Sequence, residues 1–364
     1  MVTINFSTET NAQILQRAEN LLSNDKLPEW ERDIWTFIQS FLNLKVNSFS
    51  IFTSGSTGKP KLIKHSRVQL HSSAKATIDL FHLNEGNTAL LALPVKYIGG
   101  RMMIVRSVLA KLKLTYIPVS SKPLNGITAK DKFDFAAFTP MQLANVLDDV
   151  ATQKKVNNIS TIILGGGEIS NILQSKIEKL KSLIFHTYGM TETASHVAVK
   201  KINGVDATEN FNAIPNITFE TDERNCLIIH APLFSKNFFT TNDIVDLKSS
   251  TKFVWKGRFD NVINSGGIKI QAESVEKKMH KFIACRFFIT AEKDAMLGER
   301  IVLVMESLVY DEKQMEQLSN MIAKHLDKYE KPKQISFVYK FRETEAGKVL
   351  RAESLKLEAK RIML

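Results

Sequence analysis

The chain has 364 residues, 44% of them hydrophobic and 24% charged, with a formal net charge of +11. Its length favours about two or three domains, and its composition is that of a globular protein. No apolar run approaches the roughly 20 residues that a membrane helix needs, and the N-terminus lacks the basic-then-apolar order of a signal peptide. The cysteines, Cys226 and Cys285, are too few for a disulfide framework or a zinc site. We therefore expect a cytoplasmic protein without an integral membrane segment.

The positive charge does not predict a nucleic-acid partner. Lysine and arginine are spread along the chain, without a long block of like charges and without a zinc-finger or RNA-recognition signature. The charge either favours polyanionic small molecules or is that of a well-solvated surface. Both explanations stay open.

The start of the chain predicts two amphipathic helices, over residues 11–23 and 30–42, and then a buried strand over residues 49–52. That strand enters the loop 53–61, with the sequence T-S-G-S-T-G-K-P-K. Its backbone N–H groups and hydroxyls can surround phosphate oxygens while a lysine supplies the countercharge. The usual nucleotide P-loop does not fit, because Thr53 replaces its first glycine and Pro60 its magnesium-binding hydroxyl residue. The loop predicts a phosphate site of another kind, with a mobile surface loop as the alternative.

From residue 66 onward, short β-rich runs alternate with amphipathic stretches, as they do in parallel α/β layers. The predicted strands cover residues 89–94, 113–117, 135–138 and 161–164, and the predicted helices cover residues 66–80, 104–111, 140–148 and 170–180. Short antiparallel strands are predicted at 226–230, 243–248 and 252–256. Beyond Asp260, the sequence predicts a small α+β domain in which helices cover one side of a sheet. Its predicted strands are at 262–264, 269–271, 285–290, 301–305 and 334–338, and its predicted helices are at 272–280 and 311–326.

Three further motifs follow the phosphate loop. Residues 186–193, H-T-Y-G-M-T-E-T, come after an apolar run; residues 257–270 contain G-R-F-D-N-V-I and G-G-I-K-I; residues 345–351 are E-A-G-K-V-L-R. In this order, the four motifs resemble the signatures of the acyl-adenylate-forming superfamily, which includes acyl-CoA synthetases, luciferases and peptide-synthetase adenylation domains. The resemblance covers nearly the whole chain from about residue 49.

This resemblance implies an α/β fold in two parts. Residues 1–259 would form the N-terminal domain that binds ATP and a carboxylic acid. Residues 260–364 would form a small mobile α+β domain that carries the catalytic lysine, with the hinge at Asp260. Usual members have a long α/β subdomain before the phosphate loop, so we expect the N-terminal domain to be trimmed.

The resemblance also implies the chemistry. The acid's oxygen attacks the α-phosphorus of ATP, pyrophosphate leaves, and the acyl-adenylate reacts with CoA to give a thioester; Mg²⁺ is required. Catalysis is then mostly positioning and charge neutralisation. The implied catalytic residues are Lys348, Thr191 and Glu192, with Glu192 also the metal ligand. The implied ATP-binding residues are Thr53, Ser54, Gly55, Ser56, Thr57, Gly58 and Lys61 at the phosphates, Gly166, Gly167, Glu168, Tyr188 and Gly189 at adenine, Thr191 near the α-phosphate, and Asp243 and Arg258 at the ribose.

Several of these residues have an ordinary structural alternative. Glu192 could stabilise the first turn of a helix, and Asp243 could belong to a turn beside Asn242. Lys348 could be a surface charge, and the glycine run 165–167 a tight strand exit. Asn242 also replaces the glycine of the family's usual T-G-D sequence, although the carboxylate is kept.

Two segments bear on the acid. Residues 93–100, L-P-V-K-Y-I-G-G, resemble a segment of compact acyl-CoA synthetases. Residues 139–143, T-P-M-Q-L, resemble a segment of the o-succinylbenzoate–CoA ligases of menaquinone biosynthesis, and the chain is most like these ligases. That acid has a second carboxylate, for which Lys96 and Arg101 are candidate cations; Tyr97 replaces an expected histidine.

The alternatives are another aryl- or acyl-CoA synthetase, an adenylating enzyme that loads a carrier protein, and a non-catalytic binding relative. The last is disfavoured because the chain keeps every reacting group: Lys61, Glu192, Asp243, Arg258 and Lys348.

Overall fold

The computed structural model describes residues 1–52, 61–232, 238–343 and 349–363. The chain forms two compact units, and each is described by itself. The first contains Met1–Ile169, Leu173–Thr218 and His230–Phe238, and the second contains Ser170–Ile172, Phe219–Ile229 and Phe239–Leu364. Most residues between 219 and Asp260 are thus grouped with the C-terminal part, whereas His230–Phe238 belong to the first unit. The predicted domain boundary at Asp260 stays a prediction.

The first unit is built on a sheet with a parallel centre. The strands of this part of the chain are β1 (Val2–Asn5), β2 (Ser48–Phe52), β3 (Leu62–Ser66), β4 (Thr88–Leu91), β5 (Lys113–Tyr116), β6 (Phe133–Phe138), β7 (Ile159–Leu164), β8 (Leu183–Gly189), β9 (His196–Lys201) and β10 (Phe211–Ala213). The sheet order is β1-β5-β4-β6-β7-β8-β9-β10. Strands β5, β4, β6, β7 and β8 are mutually parallel, whereas β1, β9 and β10 pair antiparallel with their neighbours. Strands β2 and β3 form a separate antiparallel hairpin.

Helices connect and cover these strands. They are α1 (Asn11–Leu22), α2 (Glu29–Leu42), α3 (Arg67–Leu80), α4 (Ile98–Leu109), α5 (Pro140–Leu147), α6 (Val150–Val156) and α7 (Asn171–Ile177), and a short 3₁₀ turn covers Pro123–Gly126. Capping boxes set the starts of three of them: Thr10 with Gln13, Ser66 with Gln69, and Thr139 with Gln142.

The apolar character of the central strands explains their position. In β6 and β7, the side chains of Phe133, Ala136, Ile159, Ile162 and Leu164 are buried in one core cluster. Strands covered by helices on both faces are expected to be continuously apolar rather than alternating. The predicted α/β fold with a large sheet is therefore confirmed. One helix begins earlier than predicted, at Ile98 instead of residue 104. Gly100 permits this start, because a Cβ there would lie 2.5 Å from the Pro94 carbonyl oxygen.

The second unit contains strands of two sheets. Four strands follow residue 217 in the order β14-β13-β12-β11: β11 (Thr218–Thr221), β12 (Cys226–His230), β13 (Phe238–Ser249) and β14 (Lys252–Arg258). The other sheet has the order β16-β15-β18-β19-β20 with β17 paired to β18, and its strands are β15 (Val262–Ser265), β16 (Ile268–Gln271), β17 (Phe287–Asp294), β18 (Gly298–Glu306), β19 (Gln334–Val338) and β20 (Lys360–Met363). The helices are α8 (Ala272–Met279), α9 (Glu312–His325) and α10 (Arg351–Leu355), with a 3₁₀ turn at Phe259–Asn261.

The C-terminal sheet is covered on both faces. On one face, Val275 of α8 and Leu318 and Ile322 of α9 pack into the larger core, as predicted. On the other, Val302, Val304 and Phe341 form a second cluster, against which Leu355 and Leu357 pack. The expectation of a sheet covered on one side was wrong. The covering segment was missed because α10 has only five residues and carries little periodicity.

No helix in the described part of the chain is long and apolar enough to cross a membrane.

Candidate active site

The carboxyl ends of β7 and β8 carry five predicted adenine-binding residues. Gly166, Gly167 and Glu168 follow β7, and Tyr188 and Gly189 end β8. The two strands are parallel neighbours, with Leu164 opposite His186, so these residues emerge at the same edge of the sheet. Ligands of open α/β sheets bind at this edge.

Side chains of β8 fix the glycine run. His186 Nε2 donates to the Gly167 carbonyl at 3.0 Å, and the Thr187 hydroxyl donates to the Leu164 carbonyl at 2.9 Å. Burial, and then the charge of Lys200, lower the pKa of His186 to about 4, so the imidazole is neutral near pH 7. Gly166 has φ +80°, a left-handed conformation suited to glycine. The glycine run 165–167 thus leaves β7 in a fixed conformation at the edge of the sheet.

Tyr188 packs beside an aromatic neighbour. Its ring centroid lies 5.8 Å from that of the buried Phe211, with the planes at 59°. The Tyr188 side chain is half-buried. An aromatic ring supported on one side and partly open on the other suits the stacking of a planar base.

Beyond Gly189 the chain makes a tight 3₁₀ turn over Thr191–Thr193 that carries Thr191 and Glu192. The Met190 N–H donates to Thr193 Oγ1 at 3.1 Å, and Thr193 Oγ1 donates to the Ser195 carbonyl at 2.8 Å. A Cβ on Gly189 would lie 2.6 Å from His196 Cα, so only glycine fits there. We call residues 190–195 the Thr-Glu turn.

The Thr-Glu turn is tied to the hairpin that flanks the phosphate loop. Most of that loop, including the predicted Thr53, Ser54, Gly55, Ser56, Thr57 and Gly58, lies outside the described residues. Lys61 is described and exposed just before β3. On β3, His65 Nε2 donates to the Thr191 carbonyl at 2.7 Å across 126 residues of sequence. The hairpin of β2 and β3, which flanks the phosphate-loop motif, therefore contacts the Thr-Glu turn.

His65 is a neutral donor in this contact. It is 2% exposed, and burial lowers its pKa, although the hydrogen bond to Thr191 and the charge of Glu192 act in the opposite direction. Because the negative charge of Glu192 raises the pKa of His65, its carboxylate lies near the imidazole. The carboxylate, the hairpin and the turn are consequently parts of one local arrangement.

Glu192 fits the metal predicted for this site. Mg²⁺ is usually held by one or two carboxylates together with substrate phosphates rather than by an all-protein cage. Glu192 is half-buried on a turn next to the hairpin of the phosphate loop. Within residues 1–52, 61–232, 238–343 and 349–363, no group of three or more His, Cys, Asp or Glu side chains could hold a metal ion alone. The donor set thus suits a cation brought with a nucleotide.

The two segments predicted to line the acid pocket are linked. Gln142, buried in α5, donates its amide to the carbonyls of Ala92 at 3.0 Å and Ser120 at 2.9 Å. The segment 139–143 is thereby anchored to the loop that follows β4. Lys96 in that loop is exposed, and its Nζ lies 5.3 Å from the ring centroid of Tyr97.

Arg101 has a structural role that the sequence did not reveal. Its Nε donates to the Val95 carbonyl at 3.0 Å, and its Nη1 donates to the Ser50 carbonyl at 2.7 Å. The guanidinium also lies over Phe37, 5.2 Å from the ring centroid. Arg101 therefore fixes β2 to the start of α4, and a part in acid binding would have to use its remaining donors.

The predicted ribose residues and the predicted hinge form one polar cluster in the second unit. Asp243 and Arg258 are opposite each other on β13 and β14, with Arg258 Nη1 3.7 Å from Asp243 Oδ1. Trp255 Nε1 donates to Asp243 Oδ1 at 3.2 Å. Arg258 Nη2 donates to Asp260 Oδ2 at 2.7 Å, and Asn242 donates to both oxygens of Asp260.

The lysine motif is described only at its end. Lys348 lies outside the described residues. Three residues on, Arg351 Nη1 lies 2.8 Å from Glu276 Oε1 of α8, and Arg351 Nη2 donates to Glu276 Oε2 at 3.0 Å. Burial raises the pKa of Glu276, whereas the Arg351 charge lowers it. Arg351, the last residue of the lysine motif, is thus held to α8 in the C-terminal domain.

Sequence reasoning missed four residues in or next to the Thr-Glu turn: His65, Arg106, Ser195 and His196. The sequence signal for Arg106 was a lone charge between the apolar residues 102–105 and 108–109. For His65 the signal was weaker, since a histidine before a capping serine has many roles.

Comparisons with known proteins identify the family. The family model described as AMP-binding enzyme matches residues 10–220. The chain is 36% identical to a solved acyl-CoA synthetase (AMP-forming)/AMP-acid ligase II-like protein of Dyadobacter fermentans, which covers 92% of this chain and 97% of that one with a TM-score of 0.61. It also shares the fold of an o-succinylbenzoate coenzyme A synthetase of Bacillus subtilis, solved with ATP and magnesium ion, at 20% identity and a TM-score of 0.69 over 84% of this chain and 69% of that one.

Curated relatives are more distant. The chain is 24% identical to the 2-succinylbenzoate–CoA ligase of Lactococcus lactis, over 83% of this chain and 69% of the relative. It is 26% identical to the enzyme of the same name from Escherichia coli, over 77% of this chain and 62% of the relative. The chain thus spans about two thirds of the length of these relatives. The predicted enzyme class, an acid–thiol ligase, is confirmed at the level of the family. Because the family model matches more than half of its residues, the chain belongs to the family of AMP-binding enzymes.

Proposed function

We propose that the chain is an ATP-dependent acid–CoA ligase, and specifically an o-succinylbenzoate–CoA ligase. The observation that carries the proposal is the contact of His65 with the Thr191 carbonyl at 2.7 Å. It joins the hairpin of a phosphate loop to the turn that presents Thr191 and Glu192, at the sheet edge where β7 and β8 end. A site for a magnesium nucleotide needs these parts together.

In the first half-reaction, a carboxylate oxygen of the acid attacks the α-phosphorus of ATP and pyrophosphate leaves. Residues 53–61 would surround the β- and γ-phosphates, and the backbone of 166–168 with Tyr188 would hold adenine. Asp243 would accept hydrogen bonds from the ribose hydroxyls, with Arg258 close by. Lys348 would bridge the acid and the α-phosphate as negative charge develops there. Mg²⁺, held by Glu192 and the phosphates, would neutralise charge on the leaving pyrophosphate.

In the second half-reaction, the thiol of CoA attacks the acyl carbonyl and AMP leaves. Asp260 would be the hinge about which the C-terminal domain turns. Lys348 would thereby leave the site before the thiol enters. The names of the curated relatives support CoA as the acceptor. A carrier protein is the alternative, because adenylation uses the same residues.

The names of the curated relatives also support the acid. 2-Succinylbenzoate carries a second, aromatic carboxylate, and Lys96 is an exposed cation on the loop that Gln142 anchors. Tyr97 lies beside it, and Arg101 would contribute only through donors that do not hold Val95 and Ser50.

The test is acid-dependent pyrophosphate release from ATP over a panel of carboxylic acids that includes 2-succinylbenzoate, followed by mass spectrometry of the product formed with free CoA. Turnover of 2-succinylbenzoate to its CoA thioester is expected. Turnover of a different acid alone would overturn the substrate, and an adenylate that never reaches free CoA would favour the carrier-protein alternative. ATP binding by titration calorimetry without pyrophosphate release on any acid would overturn the enzyme proposal.

A further inference from the structure

Arg106 is a buried cation directly behind the Thr-Glu turn. It lies on α4 and is 2% exposed. Burial lowers the pKa of its guanidinium to about 9, and no carboxylate among the described residues raises it. Its Nε has no hydrogen-bond partner in the described part of the protein. A buried charge without a counterion is costly, so the side chain is not explained by an ion pair that stabilises the fold.

The strongest contact of Arg106 is with the turn. Its Nη2 donates to the Ser195 hydroxyl at 2.7 Å, whereas Nη1 reaches only the Met103 sulfur at 3.8 Å. A hydrogen bond from a charged donor is stronger than one between neutral groups. Ser195 is therefore the main partner of the guanidinium.

Arg106 also sets the direction of a chain of hydrogen bonds. Thr77 donates its hydroxyl to the Ser73 carbonyl at 3.2 Å, so it accepts from His196 Nε2 at 3.2 Å. Burial, and then the charge of Arg106, lower the pKa of His196 to about 3, so its Nδ1 carries no proton. Ser195, which accepts from Arg106, then donates to His196 Nδ1 at 3.4 Å. Because a guanidinium can only donate, the donor and the acceptor of the hydrogen bond between Arg106 on α4 and Ser195 are fixed, and those of the bonds from Ser195 to His196 on β9 and from His196 to Thr77 on α3 follow.

The turn needs such support. Ala194, next to Ser195, has φ 60°, a left-handed conformation that a residue with a Cβ seldom adopts. Backbone of this kind persists only where the surroundings hold it. Thr193 holds the Ser195 carbonyl, His65 holds the Thr191 carbonyl, and Arg106 holds the Ser195 side chain. One contact within the turn and two from outside it, from β3 and α4, thus fix the turn.

We propose that Arg106 is a positioning residue which, through Ser195, holds the Thr-Glu turn in the geometry that binds the magnesium nucleotide. This inference rests on the proposed function, since it assigns Thr191 and Glu192 to that ligand. Arg106 itself touches no substrate in the proposal. Its effect should therefore appear in the ATP and magnesium dependence and should leave the dependence on the acid unchanged.

The test compares Arg106→Met, Arg106→Lys, Ser195→Ala and the double variant Arg106→Met/Ser195→Ala. Methionine removes the donors and the charge at similar length, and lysine keeps the charge. Alanine removes the hydroxyl that accepts from Arg106 and donates to His196. For each variant, we would measure the Kd for ATP with Mg²⁺ by calorimetry, the magnesium concentration at half-maximal adenylation, and KM for ATP and for the acid. Each variant is first shown by thermal unfolding to be folded at the assay temperature, because an unfolded fraction in equilibrium with the folded protein would weaken the apparent affinity.

Arg106→Met and Ser195→Ala are each expected to weaken magnesium–ATP binding by about tenfold or more, since small displacements of site residues have effects of this size. The double variant should be no weaker than the single ones, because both changes break one interaction. Arg106→Lys should recover part of the affinity. KM for the acid should stay unchanged.

Arg67→Met is the matched control. Arg67 is half-buried and donates to the backbone carbonyls of Phe41 at 2.7 Å and Asn43 at 2.9 Å, with no contact to the turn. This variant should lower the melting temperature and leave the magnesium and ATP constants unchanged.

Three outcomes would overturn the inference. These are effects of Arg106→Met and Ser195→Ala that multiply in the double variant, a rise confined to KM for the acid, and a lower melting temperature with unchanged ATP and magnesium constants. Calorimetric ATP binding needs no turnover, so the inference can be judged even where no acid is activated and the proposed function fails.

Discussion

Asn242 donates its side-chain amide to both carboxylate oxygens of Asp260, at 3.1 and 3.3 Å. The family resemblance places a glycine at position 242, which could make neither contact. Asn242 is thus one residue before the predicted ribose carboxylate and is bonded to the predicted hinge. Asp260 is also held by Arg258 at 2.7 Å. Because Asp260 is exposed, these bonds add little to global stability.

The hinge itself is tested by Asp260→Pro. Proline fixes φ near −65° and restricts the preceding residue, so a rotation at this peptide would be blocked. We expect adenylation to be spared and thioester formation from a supplied acyl-adenylate to be lost. Asp260→Ala is the control, because it removes the bonds to Asn242 and Arg258 without fixing φ. A parallel fall of both half-reactions in the folded proline variant would place the hinge elsewhere.

Lys348→Ala should cripple adenylation on the order of 10²-fold, because the lysine would stabilise charge that develops at the α-phosphate. Conversion of a supplied acyl-adenylate to the thioester should survive, since phosphoryl charge no longer develops in that step. Each half-reaction is measured separately, with Lys340→Ala as a control for loss of an exposed lysine. Equal losses in the two steps would remove Lys348 from this role.

The fold was largely predictable because its signals are local. The strands β6 and β7 are short, mostly apolar runs, and Ser66 and Thr139 mark the starts of α3 and α5 through capping boxes. Those signals depend on residues within a few positions of one another. β1 was missed because it has only four residues, and its place beside β5 depends on a partner more than a hundred residues away.

The candidate site was predictable only where motifs carry it. Tyr188 and Glu192 stand in a recognisable sequence, whereas His65 acquires its role from Thr191, 126 residues away. Arg101 illustrates the opposite error. It looked like a cation available to the acid, but its donors hold the carbonyls of Val95 and Ser50. Sequence gives the side chain and not the backbone group that competes for it.

Glu192→Gln should raise the magnesium concentration needed for half-maximal adenylation and should slow that step, because a neutral amide is a poorer ligand for a hard cation. ATP binding without metal should change little. Magnesium titrations of the wild type and of both variants, with Glu178→Gln as the exposed control, provide the measurement. A magnesium titration of Glu192→Gln that matches that of the wild type would count against Glu192 as the metal ligand.

Lys96→Ala should raise KM for 2-succinylbenzoate much more than KM for a related acid with a single carboxylate, since only the former offers a second anion to pair with. Arg101→Ala is the contrasting variant. Because Arg101 holds β2 and the start of α4, its loss should lower the melting temperature and affect both acids alike. Steady-state kinetics on the two acids decide between these patterns, and equal effects of Lys96→Ala on both acids would make Lys96 an ordinary surface charge.

The last prediction concerns stability at acid pH. His196 is 6% exposed, and burial, followed by the charge of Arg106, lowers its pKa from 6.5 to about 3. The unfolded chain therefore binds this proton at a higher pH than the folded protein does. The stabilising contribution is fully present above pH 6.5 and is lost as the pH falls toward 3. Between pH 6.5 and pH 5, the loss should be about 2 kcal/mol of the free energy of unfolding.

His196→Gln should remove this dependence, because an amide does not titrate in that range. The measurement is urea unfolding of the wild type and the variant at pH 7, 6 and 5, and the difference between the two proteins isolates His196 from other groups such as Glu276. His82→Gln, at an exposed histidine, should keep the wild-type slope. A difference between wild type and His196→Gln that stays constant with pH would show that His196 does not govern the acid sensitivity of the fold.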